Sequence, residues 1–301
     1  MSGLKNTVFF LQGRGTFFEF YEILVLPLLE GGLDVWMYDL SGQGGSTRLL
    51  SYDKHCDEET VRCLQHIDNF DLYVEDAFAF IDEVILPHAE GKLFLGGYST
   101  GGHIALRCLQ LRPAIPFEAA FIISPLLSLN TFIPNSLMSY ILWATSYSID
   151  LEVYLPGAGP EDPVFIMPYE GNPYTRDEAN FHEIQNLCDQ NRSRVMGGIS
   201  VGWLKAVTDS LGCLWSNKAL NAIEIPVLIG TGGEDGVVDI SYNEYFTNKL
   251  KKSKHLFYPN GRHELFRETE GIQSTLWMDF DDFFSKINEE ESANSLLSFL
   301  F

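Results

Sequence analysis

The chain has 301 residues, 46% of them hydrophobic, enough for a large core or for one core plus an inserted subdomain. Against 20 Lys and Arg stand 41 Asp and Glu, a formal net charge of -21, and a surface that acidic repels phosphate backbones and argues against a nucleic-acid partner. Five scattered cysteines with no C-x-x-C pair fit a reduced, cytoplasmic chain. The apolar run Val8–Leu11 is too short for a signal sequence. Leu137–Ile149 is interrupted by Ser139, Thr145, Ser146 and Ser148, so it is no membrane span.

Short apolar runs alternate with longer amphipathic segments, which predicts an α/β protein with a mostly parallel sheet flanked by helices. Thr7–Leu11 is the first strand, and it feeds Gln12-Gly13-Arg14-Gly15-Thr16-Phe17, whose glycines let the backbone turn inward. Phe17–Leu29 is apolar at helical spacing. Asp34–Tyr38 is the second strand. The Ser41-Gly42-Gln43-Gly44-Gly45-Ser46 stretch after it has no Walker lysine and no third spaced glycine, so it reads as a tight loop and not a phosphate cradle. His55, Cys56, Cys63 and His66 fit no common zinc spacing, and no metal or cofactor is expected. Leu72–Ile85 carries an apolar stripe of Leu72, Val74, Phe78, Ile81 and Ile85.

The third strand, Lys92–Gly96, runs into Gly97-Tyr98-Ser99-Thr100-Gly101, and a helix-forming run, His103–Leu111, follows. Strand, G-x-S-x-G turn and helix together make a nucleophile elbow. The turn is too tight for bulky neighbours, so glycines flank the serine. The helix N-terminus behind it offers free N–H groups and a positive dipole end to a developing oxyanion.

Ala119–Ile123 is the next strand. From Leu126 to Ala222 the rhythm breaks, with six prolines from Pro134 to Pro173 and two helical runs near Leu137–Tyr147 and Arg176–Asn191. This predicts a helical cap, residues 126–222, inserted into a core of 1–125 and 223–301. Phe132, Leu137, Tyr140, Ile141, Trp143 and Tyr147 offer it an apolar, aromatic lining for a substrate pocket. Pro226–Gly230 re-enters the sheet, and Thr231-Gly232-Gly233-Glu234-Asp235-Gly236 follows with Asp235 at the loop apex. His255–Tyr258 is the last strand, and Asn260-Gly261 turns the chain to His263 before the helical region Glu264–Ile287. A tail, 288–301, ends in an apolar patch from Leu296 to Phe301.

A serine hydroxyl needs an imidazole to take its proton and a carboxylate to orient that imidazole. Ser99, Asp235 and His263 occur in the order, and on the loops, that such an array requires. Glu234 and Asp239 are rival acids, with Glu234 expected in solvent and Asp239 as a helix cap. His103 falls inside the elbow helix, where packing or polar support is its expected role. The N–H groups of Thr100 and Arg14 are the expected oxyanion donors.

On these residues the chain resembles the α/β-hydrolase superfamily, and within it the bacterial lysophospholipase and monoacylglycerol-lipase branch grouped with serine aminopeptidase-like hydrolases. The likeness rests on Gly13-Arg14-Gly15, Asp39-Leu40-Ser41-Gly42-Gln43-Gly44, the elbow, Glu170-Gly171-Asn172-Pro173-Tyr174-Thr175, Gly202-Trp203-Leu204, Gly233-Glu234-Asp235 and Arg262-His263-Glu264. The resemblance implies Ser99 as nucleophile, Asp235 as acid and His263 as base. It implies cleavage of a carboxylic ester of a long-chain acyl group, from a lysophospholipid or monoacylglycerol, through an acyl-enzyme. Two departures stand out. Gln12 occupies the place of the branch's histidine, and the two antiparallel strands with which members begin are missing. The missing strands expose Asp34–Tyr38 as a sheet edge, with a homodimer across it as one expected outcome. A proline-type aminopeptidase using Glu161, Asp162 and Glu170 for a free amine is an alternative. A non-catalytic binding protein on the same fold is another.

Overall fold

The computed structural model describes residues 5–51, 54, 57–131, 133–161 and 167–298, with side chains up to 287. Its strands are β1 (Thr7–Leu11), β2 (Asp34–Trp36), β3 (Leu93–Tyr98), β4 (Phe117–Ile123), β5 (Val227–Gly232) and β6 (Ser253–Tyr258). They form one six-stranded sheet in the order β2-β1-β3-β4-β5-β6, and every pairing is parallel. All the strands that sequence predicts are present, with no end displaced by more than two residues. Among the described residues no strand precedes β1, and the outer side of β2 pairs with none.

The helices are α1 (Glu22–Glu30), α2 (Glu58–Cys63), α3 (Asp71–Phe80), α4 (Thr100–Leu111), α5 (Asn135–Thr145), α6 (Glu178–Gln190), α7 (Val201–Leu214), α8 (Asn217–Ala222), α9 (Asn243–Thr247) and α10 (Glu270–Ser298). Alternation along each strand splits the sheet's side chains between two apolar layers. Phe9, Leu95, Ile122 and Ile229 bury against α3, α4 and α7. Val8, Phe10, Phe121 and Leu228 bury against α1 and α10. Covering on both faces is why the strands read as near-continuous apolar runs.

Between β4 and β5 the chain carries α5 to α8. Trp203, Ala206, Val207, Leu211 and Leu214 of α7, with Leu220 of α8, join the same buried cluster as the sheet and α4. These two helices therefore pack into the same layer as α4. Helix α10 keeps a helical backbone through Ser298, across the expected start of the tail, while residues 299–301 lie outside the described set. No described helix is long and apolar enough to cross a membrane.

Phe121 is fully buried, with ring centroids of Phe10, Phe280 and Phe284 at 5.9, 5.0 and 5.8 Å. Phe121→Ala should destabilise the protein by about 3–5 kcal/mol, read as a lower urea midpoint with an unchanged slope.

Candidate active site

A parallel sheet puts the C-terminal ends of all its strands on one side, and three of the loops there carry reactive groups. Ser99 follows β3 at φ 53° and ψ -117°, in the left-handed region that a residue with a Cβ enters at a cost of about 1–3 kcal/mol. Surrounding backbone holds it there: its N–H donates to Ile123 O at 3.0 Å, and its carbonyl accepts from Leu126 N at 3.1 Å. A Cβ at Gly101 would sit 2.1 Å from the Leu11 carbonyl oxygen, so only glycine lets α4 start this close to β1.

Asp235 and His263 come from the loops after β5 and β6. A Cβ at Gly232 would lie 2.3 Å from the Arg262 carbonyl, which measures how tightly these loops abut. Asp235 has no exposed side-chain surface. Its Oδ1 accepts from Val237 N at 2.8 Å and Val238 N at 3.1 Å, and its Oδ2 lies 2.6 Å from His263 Nδ1. His263 Nε2 lies 3.0 Å from Ser99 Oγ. A continuous line of hydrogen bonds therefore runs from a buried carboxylate through an imidazole to a serine hydroxyl. Such a line can draw a proton off the hydroxyl and stabilise the imidazolium that results.

The rival residues are occupied elsewhere. Glu234 is exposed and paired with Arg176, which holds its carboxyl below the usual range. Asp239 accepts from Ser241 N at 3.0 Å as a helix cap. His103 is fully buried, and burial pushes its pKa down to about 3. Its Nδ1–H donates to Leu126 O at 3.0 Å, and its Nε2 accepts from Ser210 at 2.8 Å, tying α4 to α7. Of the zinc candidates, His55 and Cys56 lie outside the described residues. His66 bonds Ser200 and Asp68.

The loop after β1 is clamped from outside itself. Gln43 Nε2 donates to Gly13 O at 2.9 Å and Thr16 O at 3.2 Å, while its Oε1 accepts from Gly15 N at 3.1 Å. The Tyr21 hydroxyl accepts from Gly13 N at 2.6 Å. Asp39 accepts from Gln12 Nε2 at 3.2 Å, from Phe18 N at 2.9 Å and from Gly45 N at 2.6 Å. Gln12 thus replaces the branch's histidine without leaving the loop unbraced. The sequence showed the loop holding Gln43 but not that it reaches across to this one.

A second brace, which sequence reasoning noted only as a family likeness, holds the His263 loop. Asn172, 2% exposed, organises the turn before α6. Its Nδ2 donates to Tyr169 O and Thr175 O, and its Oδ1 accepts from Tyr174 N and Thr175 N. The turn's carbonyls then accept from His263 N (Pro173 O, 3.2 Å) and Glu264 N (Tyr174 O, 2.8 Å). Beside it, the buried Glu268 carboxylate accepts from Arg176 N and Arg262 N.

The cavity at Ser99 is lined by Arg14, Gly15, Thr16, Phe20, Tyr98, Tyr174, Ile184, Cys188, Val237, His263 and Glu264. Burial pushes the Glu264 carboxyl and the Tyr98 hydroxyl above their ordinary pKa values. The expected acyl pocket is not here. Leu137, Tyr140, Ile141, Trp143 and Tyr147 are 48, 63, 40, 52 and 81% exposed, on and just past α5, and none lines this cavity. Phe132 lies outside the described residues. Helical spacing identifies an apolar face but not the direction it turns, and α5 buries only Leu142.

A serine on a strained strand-to-helix turn, beside an imidazole and a buried carboxylate over the end of a parallel sheet, defines a hydrolase of the α/β-hydrolase superfamily. The model of the serine aminopeptidase S33 family matches residues 3–270, and the chain belongs to that family. It is 24% identical over 298 residues to lysophospholipase L2 of Escherichia coli strain K12, covering 96% of this chain and 83% of that one. It is 24% identical over 278 residues to the monoglyceride lipase of Homo sapiens, covering 91% and 80%. Its fold is similar to that of a soluble variant of monoglyceride lipase from Saccharomyces cerevisiae, with TM-score 0.70 at 18% identity, over 94% of this chain and 88% of the other. A carboxyl esterase from Bacillus coagulans gives TM-score 0.69 at 16% identity, over 94% and 90%. With these relatives and this fold, the chain is a carboxylic ester hydrolase.

Asn172→Ala removes a buried side chain that makes four hydrogen bonds. It should cost about 2–4 kcal/mol in chemical denaturation and lower ester turnover in the same variant.

Proposed function

We propose that the protein cleaves the carboxylic ester of a long acyl chain, in a lysophospholipid or monoacylglycerol, through an acyl-enzyme on Ser99. The 3.0 Å contact between Ser99 Oγ and His263 Nε2, with Asp235 behind it, carries this reading. His263 takes the Ser99 proton as Oγ attacks the ester carbonyl, and the carbonyl oxygen gains negative charge. The N–H groups of Thr100 and Arg14 hold that oxyanion, and the dipole of α4 adds to them. Collapse of the tetrahedral intermediate expels the alcohol, which His263 protonates. Water, deprotonated by His263, then cleaves the acyl-enzyme and restores Ser99.

Phe20, Ile184, Cys188 and Val237 give the cavity an apolar wall for the acyl chain beside the serine. The names of the relatives, lysophospholipase L2 and monoglyceride lipase, support the substrate class. The inserted segment, residues 126–222, is read as the cap, with Tyr174, Ile184 and Cys188 as its contribution to the cavity wall. A reducing, cytoplasmic setting is part of this reading, supported by five scattered cysteines with no C-x-x-C pair. Among the described residues the outer side of β2 pairs with no strand, which supports association of two copies through that edge.

A second reading is cleavage next to a free amine, as the family's description suggests. Glu161 and Glu170 are exposed and do not line the Ser99 cavity, and Asp162 lies outside the described residues. Glu264 is the acidic residue that lines the Ser99 cavity, and it is buried.

A fluorophosphonate probe should label the wild type and not Ser99→Ala; labelling of the variant would remove Ser99 as the nucleophile. Asp235→Asn should lower kcat by about 10⁴. In a series of p-nitrophenyl esters, kcat/KM should rise with acyl length and exceed that for prolyl-anilide. The opposite order favours the peptidase.

A further inference from the structure

We propose that the Arg14 side chain binds the phosphodiester of a glycerophospholipid head group at the Ser99 cavity, and so makes the protein prefer a lysophospholipid to a neutral monoacylglycerol. The inference rests on the reading that Ser99 attacks an acyl ester.

Arg14 lines the cavity that holds Ser99 and His263. In a chain with 41 acidic residues, carboxylates are available to most surface cations. Arg112, Arg176, Arg192 and Arg194 each sit on one, as do the buried Arg107 and Arg267. Arg14 has no acidic partner among the described residues. Its side chain makes one hydrogen bond there, from a terminal nitrogen to Gln65 Oε1 at 3.3 Å.

That contact aims the guanidinium. Gln65 is 4% exposed, and its Nε2 donates to Gly197 O at 3.0 Å. Its backbone donates to Gly198 O at 3.1 Å and accepts from Ser200 N at 2.8 Å. The Arg14 backbone sits between Gly13 and Gly15, both clamped by Gln43. Both ends of the side chain are therefore held before substrate arrives, and the remaining N–H donors of the fork are unspent.

A partly buried guanidinium without a counter-charge is costly, and an anion in the cavity offsets that cost. The two non-bridging oxygens of a phosphodiester match the fork and accept from it in pairs. A glycerol head group offers no such match. The rest of the surface repels anions, so a phosphate that docks here needs this local cation. A zwitterionic head group suits the surroundings, with phosphate on Arg14 and its ammonium toward the acidic exterior.

The test compares lysophosphatidylcholine with monoacylglycerol of the same acyl chain, for wild type, Arg14→Met and Arg14→Lys, as a ratio of kcat/KM values. The ratio should fall by about tenfold or more in Arg14→Met, through KM for lysophosphatidylcholine, with Arg14→Lys between. A ratio unchanged in Arg14→Met overturns the inference, whether both substrates lose equally or neither loses. Binding of sn-glycero-3-phosphocholine, by titration calorimetry, reads the same contact without turnover. Binding to wild type that Arg14→Met loses supports the inference; equal binding to both, or none to wild type, overturns it. Wild type that binds the phosphodiester through Arg14 but cleaves neither ester would sink the esterase reading and the preference built on it, and leave only the Arg14 phosphodiester contact standing.

Discussion

Parallel pairing of the six strands is the constraint on which the site depends. It carries the ends of β3, β5 and β6 to one rim, so residues 99, 235 and 263 meet although the chain separates them widely. Antiparallel pairing would send alternate ends to opposite sides and scatter the same residues. The pairing in turn depends on the split of side chains between two apolar layers, because each strand must be covered on both faces.

The site is rigid through polar bracing and not through local stiffness of its loops. The loop after β1 contains two glycines and would wander alone, but Gln43, Tyr21 and Asp39 satisfy its backbone groups from other elements. The loop carrying His263 is satisfied by the turn around Asn172 and by the buried Glu268. Buried backbone groups must find partners, so these contacts are obligatory once the fold closes. They also join the segment before α6 to the machinery beneath it, so packing of that segment is coupled to the position of the imidazole.

Electrostatics divide the surface from the site. Net charge of -21 sets a field that repels anions everywhere except where a cation stands unneutralised. Within the cavity wall, burial raises the pKa of the Glu264 carboxyl and of the Tyr98 hydroxyl above their ordinary values.

The strands, the elbow, and the order serine, acid, histidine were all readable from the chain, because each is a local pattern: apolar runs of strand length, glycines at a tight turn, and polar residues on short loops after strands. Local pattern also assigned Asp239 to a cap, which it fills two residues on, and His103 to support, although its partners Leu126 O and Ser210 lie outside α4. Tertiary structure alone decided which face of α5 is exposed, that α7 and α8 lie in the core layer, and that Gln43 and Asn172 brace distant loops. The reason is physical: spacing along a helix defines a stripe, but the partner that buries the stripe, or leaves it in solvent, comes from residues far away in sequence.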